Sequence, residues 1–221
     1  VSRYTPCMTD DIPLADLRPH LVAAMLPNVP FDGWTAAARD TAADDAGIDR
    51  DIAALALPDA LAMIQAYIAR ADAQMAEALA AAAFPKVRDR IRGAIWLRLE
   101  AAAGDREAIR RALAILALPQ NAGIAARTLW GTADAMWRAA GDTATDFNHY
   151  SKRAILAAVY SATLLYWLDD DSDDFSATAA FLDRRIGDVM QIEKAKAGVR
   201  KFTANLPDPA RFLGRLRYPA V

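Results

Sequence analysis

The acidic run at 169–174, DDDSDD, is the densest group of potential ligands in the chain, and it first suggests calcium. An EF-hand loop needs Gly at its sixth position and Glu at its twelfth. Counted from Asp169, those positions hold Asp174 and Ala180, so the spacing fails. The two histidines, His20 and His149, stand far apart, and no Glu-x-x-His pair offers a zinc or di-iron site. His149 lies near Asp146 and Tyr150, a set with acid–base potential, but nothing in the sequence orients the imidazole. Ser161 and Ser172 fall outside any nucleophile-elbow pattern, and Gly-rich phosphate loops are missing. The single cysteine, Cys7, excludes a disulfide framework and a cysteine-built zinc site within one chain. These residues predict no catalysis, no metal and no cofactor.

The rest of the chain reads as scaffold. Of its 221 residues 54% are apolar and 24% charged, enough for a sizeable buried core. A net charge of −2 opposes general affinity for nucleic acid. The longest apolar run, 154–168, is shorter than the ~18–20 residues of a membrane span and ends in three aspartates. The opening residues lack a basic region followed by an apolar block, and Met8 is a candidate start. Ala, Leu and Arg dominate and period-two alternation is absent, so the chain is predicted all-α.

Residues 1–57 are expected to form a helix-turn-helix-like unit. Its first helix spans 16–26, capped by Asp16 with Pro19 in the first turn. A second starts at Asp32 and presents Trp34, Ala38 and Ala42 on one face, with Gly47 as a left-handed C-cap. Asp49 caps a short third helix ending before Pro58. The words FDGWTAAARDTAADDAGID resemble the N-terminal domain of TetR-type regulators, which makes a ligand-responsive transcriptional regulator the competing functional reading. The charges oppose it: residues 10–60 carry ten Asp against Arg18, Arg39 and Arg50, whereas a DNA reader needs bases against phosphates.

Residues 58–206 are expected to hold a bundle of longer helices, at about 59–83, 86–103, 105–119, 121–140, 146–168 and 173–202. Asp105 is a good N-cap for the third of these, Thr145 or Asp146 for the fifth, and Ser172 or Asp173 for the last. The 169–174 run then serves as a solvated turn. Trp130 and Trp137, seven apart, share a helix face that is read first as core packing. The 146–168 helix is apolar nearly all round, as befits a helix buried centrally or covered by a partner subunit. Residues 207–221 form a last amphipathic segment with Phe212, Leu213 and Leu216 apolar and Arg211, Arg215 and Arg217 basic. Such a segment suits an anionic membrane interface, or equally a solvated tail or a helix docked on its own domain.

One stretch carries a resemblance. Met136-Trp137, Ala140-Gly141-Asp142, Thr145-Asp146-Phe147-Asn148, Tyr150, Lys152-Arg153 and Phe181-Leu182-Asp183-Arg184-Arg185 fall in the register of the ubiquinone-biosynthesis accessory protein family. VPFDGWT at 29–35 and LALPQN at 116–121 are similar words upstream. The family is the lipid-binding partner of the di-iron demethoxyubiquinone hydroxylase. The resemblance implies a TetR-like helical bundle of about ten helices that binds no nucleic acid. It also implies an apolar pocket for an isoprenoid quinone precursor or a phospholipid, a homodimer, and a C-terminal amphipathic helix that touches the membrane.

Met136, Trp137, Asp146 and Tyr150 match the family's partner-binding patch, and His149 replaces a Trp of eukaryotic members. Leu99, Leu129, Leu156, Tyr160 and Trp167 are the candidate lipid-pocket residues, and Arg211, Phe212, Leu213, Arg215 and Leu216 the candidate membrane contact. The expected place is cytoplasmic, peripheral on the inner face of a bacterial membrane.

Overall fold

The computed structural model describes residues 13–142 and 147–204 and, within them, every side chain except those at 147–149, 190 and 192–204. It holds ten α-helices and three single 3₁₀ turns, and no strand occurs among the described residues. The helices are α1 (Leu14–Met25), α2 (Val29–Asp32), α3 (Ala36–Asp45), α4 (Arg50–Ala56), α5 (Ala60–Ala81), α6 (Val87–Ala101), α7 (Arg106–Leu116), α8 (Ala122–Ala139), α9 (Phe147–Leu168) and α10 (Ser176–Ala204). This is the expected all-α bundle.

In the N-terminal unit, several boundaries differ from the sequence expectation for local reasons. α1 starts before Asp16, because the Pro13 carbonyl accepts the N–H groups of Asp16 and Leu17 at 2.9 and 3.1 Å. Pro19 is therefore inside the helix, not in its first turn, on the exposed side opposite Leu17, Leu21 and Met25. Asp32 ends the short α2 instead of capping α3. Gly33, at φ +73, breaks the run, and Thr35 restarts it by accepting the Ala38 N–H. Trp34 thus precedes α3 and turns its indole inward.

Other local signals held. Gly47 sits at φ +66, and the Ile48 N–H reaches back to the Ala43 carbonyl at 2.8 Å, as in a left-handed helix end. Asp49 accepts the N–H groups of Asp51 and Ile52; Asp59, expected inside the next helix, instead caps it by accepting the Ala62 N–H at 2.8 Å. α4 and α5 meet at 75° across Pro58.

The two parts share one core. Leu21, Trp34, Ile64, Ile95, Met136 and Trp167 belong to a single cluster of buried apolar side chains. Two bonds cross from the N-terminal unit to α7: the Trp34 indole N–H donates to the Ala108 carbonyl at 3.0 Å, and Arg111 donates to the Pro30 carbonyl at 2.7 Å. The Trp34 ring also lies 5.6 Å from that of Tyr67 on α5.

Two acids take roles their local sequence did not announce. Asp105 stands just before α7, but its carboxylate accepts no backbone N–H there; it accepts the Tyr67 hydroxyl at 3.3 Å. At the α9–α10 turn neither Asp173 nor a fully solvated loop describes the outcome. Asp170 is buried and binds the start of α10. It accepts the Ser172 N–H and hydroxyl at 2.9 and 2.6 Å and the Thr178 N–H and hydroxyl at 2.8 and 2.5 Å. Ser172 does help cap α10, its oxygen accepting the Ala177 N–H at 3.0 Å. The carbonyl that ends α9, at Leu168, is held from the other side by Arg106 and Arg110 of α7. The expected caps at Thr145 and Asp146 lie outside the described residues.

Candidate functional site

The candidate site lies along the inward-facing surface of α9. Its apolar side chains line two cavities that follow one another along the helix. The first, of about 420 Å³, lies between α6, α8, α9 and α10 and is bounded by Ile91, Trp137, Ile155, Leu156, Val159 and Ile186. Its charged neighbours are Arg88 and Lys152. The second, of about 350 Å³, lies among α5 to α9 and is bounded by Ile68, Ile109, Leu113, Leu129, Tyr160 and Leu164. Both volumes fall in the ~300–1,000 Å³ range of small-molecule sites. The cavities are called here the α10 cavity and the α7 cavity.

The α10 cavity is closed towards α8 by an aromatic and a cation. The Trp137 indole N–H donates to the Lys152 carbonyl at 3.1 Å, and the Lys152 ammonium lies 5.3 Å from the centre of the same ring while pairing with Asp142 at 3.0 Å. Beside it, Arg153 is buried against two carboxylates, Asp134 at 2.5 Å and Asp142 at 3.4 Å. These contacts fix α9 on α8 at the end where the helix begins.

The α7 cavity carries a polar wall. Arg98 of α6, 5% exposed, donates through Nε to Asp72 at 2.8 Å and through Nη1 to the Tyr160 hydroxyl at 2.5 Å. Thr132 donates to the other oxygen of Asp72 at 3.0 Å. Burial pushes the Tyr160 phenol up, against the opposing pull of Arg98. Burial does the same to Tyr67, with the Asp105 charge adding to it. Both phenols are therefore protonated, neutral hydrogen-bond donors throughout the physiological range.

The sequence-derived residues separate into groups. Leu129 and Tyr160 line the α7 cavity and Leu156 the α10 cavity. Leu99 and Trp167 line neither: both are fully packed in the core, Trp167 against Phe175 at 5.7 Å and beneath Arg106. In the partner patch, Tyr150 is 62% exposed and stacks on Trp130, ring centres 6.1 Å apart. Trp137 is half-buried in the α10 cavity, and Met136, expected in the same patch, is wholly buried in the core and presents no surface. Asp146 and the membrane-contact residues 211–216 lie outside the described residues.

Arg98, Asp72 and Thr132 were not anticipated. Arg98 did leave a trace, falling one turn beyond Ala94 and Ile95 on the buried stripe of α6, where a charge is out of place.

Three side chains that DNA binding would need are committed elsewhere. Arg39 is buried, bonded to Asp40 and to the Leu57 carbonyl. Arg50 pairs with Asp44, and Arg18 donates to the Ala56 carbonyl. Among the described residues, no single helix is long and apolar enough to cross a membrane, and no three His, Cys, Asp or Glu side chains gather as metal ligands.

Comparison with known proteins gives a consistent lineage. Residues 122–193 match the model of the COQ9 family. The chain is 35% identical over 181 residues to the mitochondrial ubiquinone biosynthesis protein COQ9 of Rattus norvegicus, covering 78% of this chain and 58% of that protein. It is 33% identical over 185 residues to the Homo sapiens protein, covering 80% and 58%. The chain thus spans less than two thirds of the length of these curated relatives, at 58%. Among solved structures, a TetR transcriptional regulator from Nitrosomonas europaea superimposes with a TM-score of 0.61 at 20% identity, covering 77% of this chain and 96% of that one. That likeness concerns the fold alone. The chain is a relative of the COQ9 proteins, built on a TetR-like all-helical fold.

Proposed function

We propose that this chain acts in ubiquinone biosynthesis as a lipid-binding accessory protein, not as a catalyst. It takes up a membrane-derived isoprenoid quinone precursor and presents it to the di-iron demethoxyubiquinone hydroxylase. The observation that carries the reading is the pair of apolar cavities along α9, most of which falls within the residues matching the COQ9 family. Water gains little in such cavities, whereas a hydrocarbon chain leaves water on entering them.

In this reading Leu129, Leu156 and Tyr160 contact the lipid, while Leu99 and Trp167 hold the walls from behind. Trp137 and Tyr150, with Asp146, form the hydroxylase-facing patch, supported from below by Met136. The 207–221 segment, with Arg211, Phe212, Leu213, Arg215 and Leu216, rests on the anionic membrane surface. The protein is peripheral on that membrane and acts as a homodimer, in which the exposed Leu165 and Tyr166 of α9 offer apolar surface to a second copy.

The deciding experiment is native mass spectrometry of the purified chain, followed by organic extraction and lipid identification. A bound isoprenoid quinone or phospholipid is expected. A chain that arrives empty and fails to sediment with anionic liposomes refutes the proposal.

A further inference from the structure

We propose that the α7 cavity contains a head-group subsite, Arg98 with Tyr160, that takes a neutral hydrogen-bond-accepting ring head, such as a quinone carbonyl, on an otherwise apolar ligand. The proposal rests on the lipid-binding reading above and assigns the ligand's polar end within it.

A guanidinium in an apolar wall is costly unless it is paired. Asp72 supplies that pairing, and Thr132 occupies the second carboxylate oxygen, so the cluster holds one positive and one negative charge. The donors, however, are not used up. A guanidinium has five N–H groups, and among the described residues those of Arg98 meet only Asp72 and the Tyr160 hydroxyl. The Tyr160 oxygen accepts from Arg98, and its own proton has no acceptor among the described residues. Arg98 Nη2 makes no hydrogen bond among the described residues, yet it is not one of the fully buried polar atoms left without a partner there, so it is not sealed inside the protein. Both residues line the cavity. Spare donors therefore open onto an apolar space.

Donors without acceptors select a ligand that brings acceptors. Charge then narrows the choice. Asp72 already balances Arg98, so a carboxylate or phosphate would add an uncompensated anion to an apolar cavity, which desolvation opposes. A ring carbonyl accepts from Tyr160 O–H and Arg98 N–H and adds no charge. Ile68, Leu113, Leu129 and Leu164 of the same cavity then surround hydrocarbon. The α10 cavity differs: its charged neighbours, Arg88 and Lys152, include no cation as deeply buried as Arg98.

The test uses the full chain and two probes of matched chain length, a decyl-substituted benzoquinone and decanoate, measured by equilibrium dialysis. The quinone is expected to bind the parent more tightly than decanoate. Tyr160→Phe, which keeps the ring and removes the hydroxyl, is expected to weaken quinone binding about three- to tenfold, the worth of one hydrogen bond, and to change decanoate binding less than about twofold. Ala125→Trp, which fills the α7 cavity from α8 without touching the polar cluster, is expected to weaken the quinone at least as much. Quinone affinity unchanged in both variants overturns the subsite while leaving lipid binding standing. Decanoate bound more tightly than the quinone overturns the neutral-head assignment. A parent that binds neither probe removes the lipid-binding reading and this inference with it.

Discussion

Replacing Asp170 with Ala probes the α9–α10 turn, on which the far wall of the α10 cavity depends. The carboxylate accepts four hydrogen bonds, two of them from Thr178, which is fully buried. Removing it strands the Thr178 N–H and hydroxyl, at about 1–3 kcal/mol for each unsatisfied buried group. Ser172 is only half-buried and regains water. The turn sits beside the exposed Asp169 and Asp171, where solvent screens part of the charge. The expected loss is therefore near the lower end, about 2–3 kcal/mol at pH 7.

Its pH dependence has a definite sign. Burial raises the Asp170 pKa, but the bonds from Ser172 and Thr178 outweigh it and leave the group below the ordinary carboxylate range. A depressed folded value means that the stabilisation is complete above the unfolded pKa of about 3.9 and is lost as pH falls through the folded value. Urea denaturation followed by circular dichroism should show the full gap between parent and variant from pH 7 to 5. Below about pH 4 the gap should narrow by at most about 1.4 kcal/mol per pH unit, less after screening. A variant within about 0.5 kcal/mol of the parent at pH 7, or a gap that widens in acid, would refute the assignment of Asp170 as the anchor of α10.

Other consequences can be checked alongside. Arg153→Met removes the buried cation shared by Asp134 and Asp142, which keep Arg138 and Lys152 as their other partners, and should cost about 1.5–3 kcal/mol, seen as a lowered urea midpoint. Tyr150→Ala removes an exposed ring stacked on Trp130, so stability should fall by no more than about 1.5 kcal/mol, while co-purification of the hydroxylase should drop severalfold. Unaltered capture would take Tyr150 out of the partner patch. Phe212→Ser combined with Leu216→Ser should weaken sedimentation with anionic liposomes without changing helical content, and undiminished sedimentation would count against membrane contact by that segment.

The fold was readable where the signal is local. Gly47 and Asp49 act on backbone groups within a few positions, so spacing alone finds them. Asp105 and Asp170 look like the same kind of residue but answer to partners elsewhere: Tyr67 lies 38 positions from Asp105, and Thr178, eight positions from Asp170, lies in the first turn of the next helix. The site was readable only in part, because a leucine packed in a core and a leucine lining a cavity have the same chemistry. Leu99 and Leu129 are equally apolar in the sequence, and only the arrangement of neighbouring helices leaves space beside one and not the other. The Asp72–Arg98 pair, 26 positions apart, needed α5 laid against α6 to exist at all.

The bonds that reach from the N-terminal unit into α7 bear on how the molecule comes apart. Trp34 sits in the pocket between α5 and α7 with its indole N–H on the Ala108 carbonyl, and Arg111 holds the Pro30 carbonyl from the opposite direction. Detaching the unit would expose a large aromatic ring and strand polar groups on both sides of the seam, so the seam is no cheaper to open than the interior. Hydrogen exchange should then report the slowest amides of α1 and of α5 opening together, and calorimetry one melting transition for both parts.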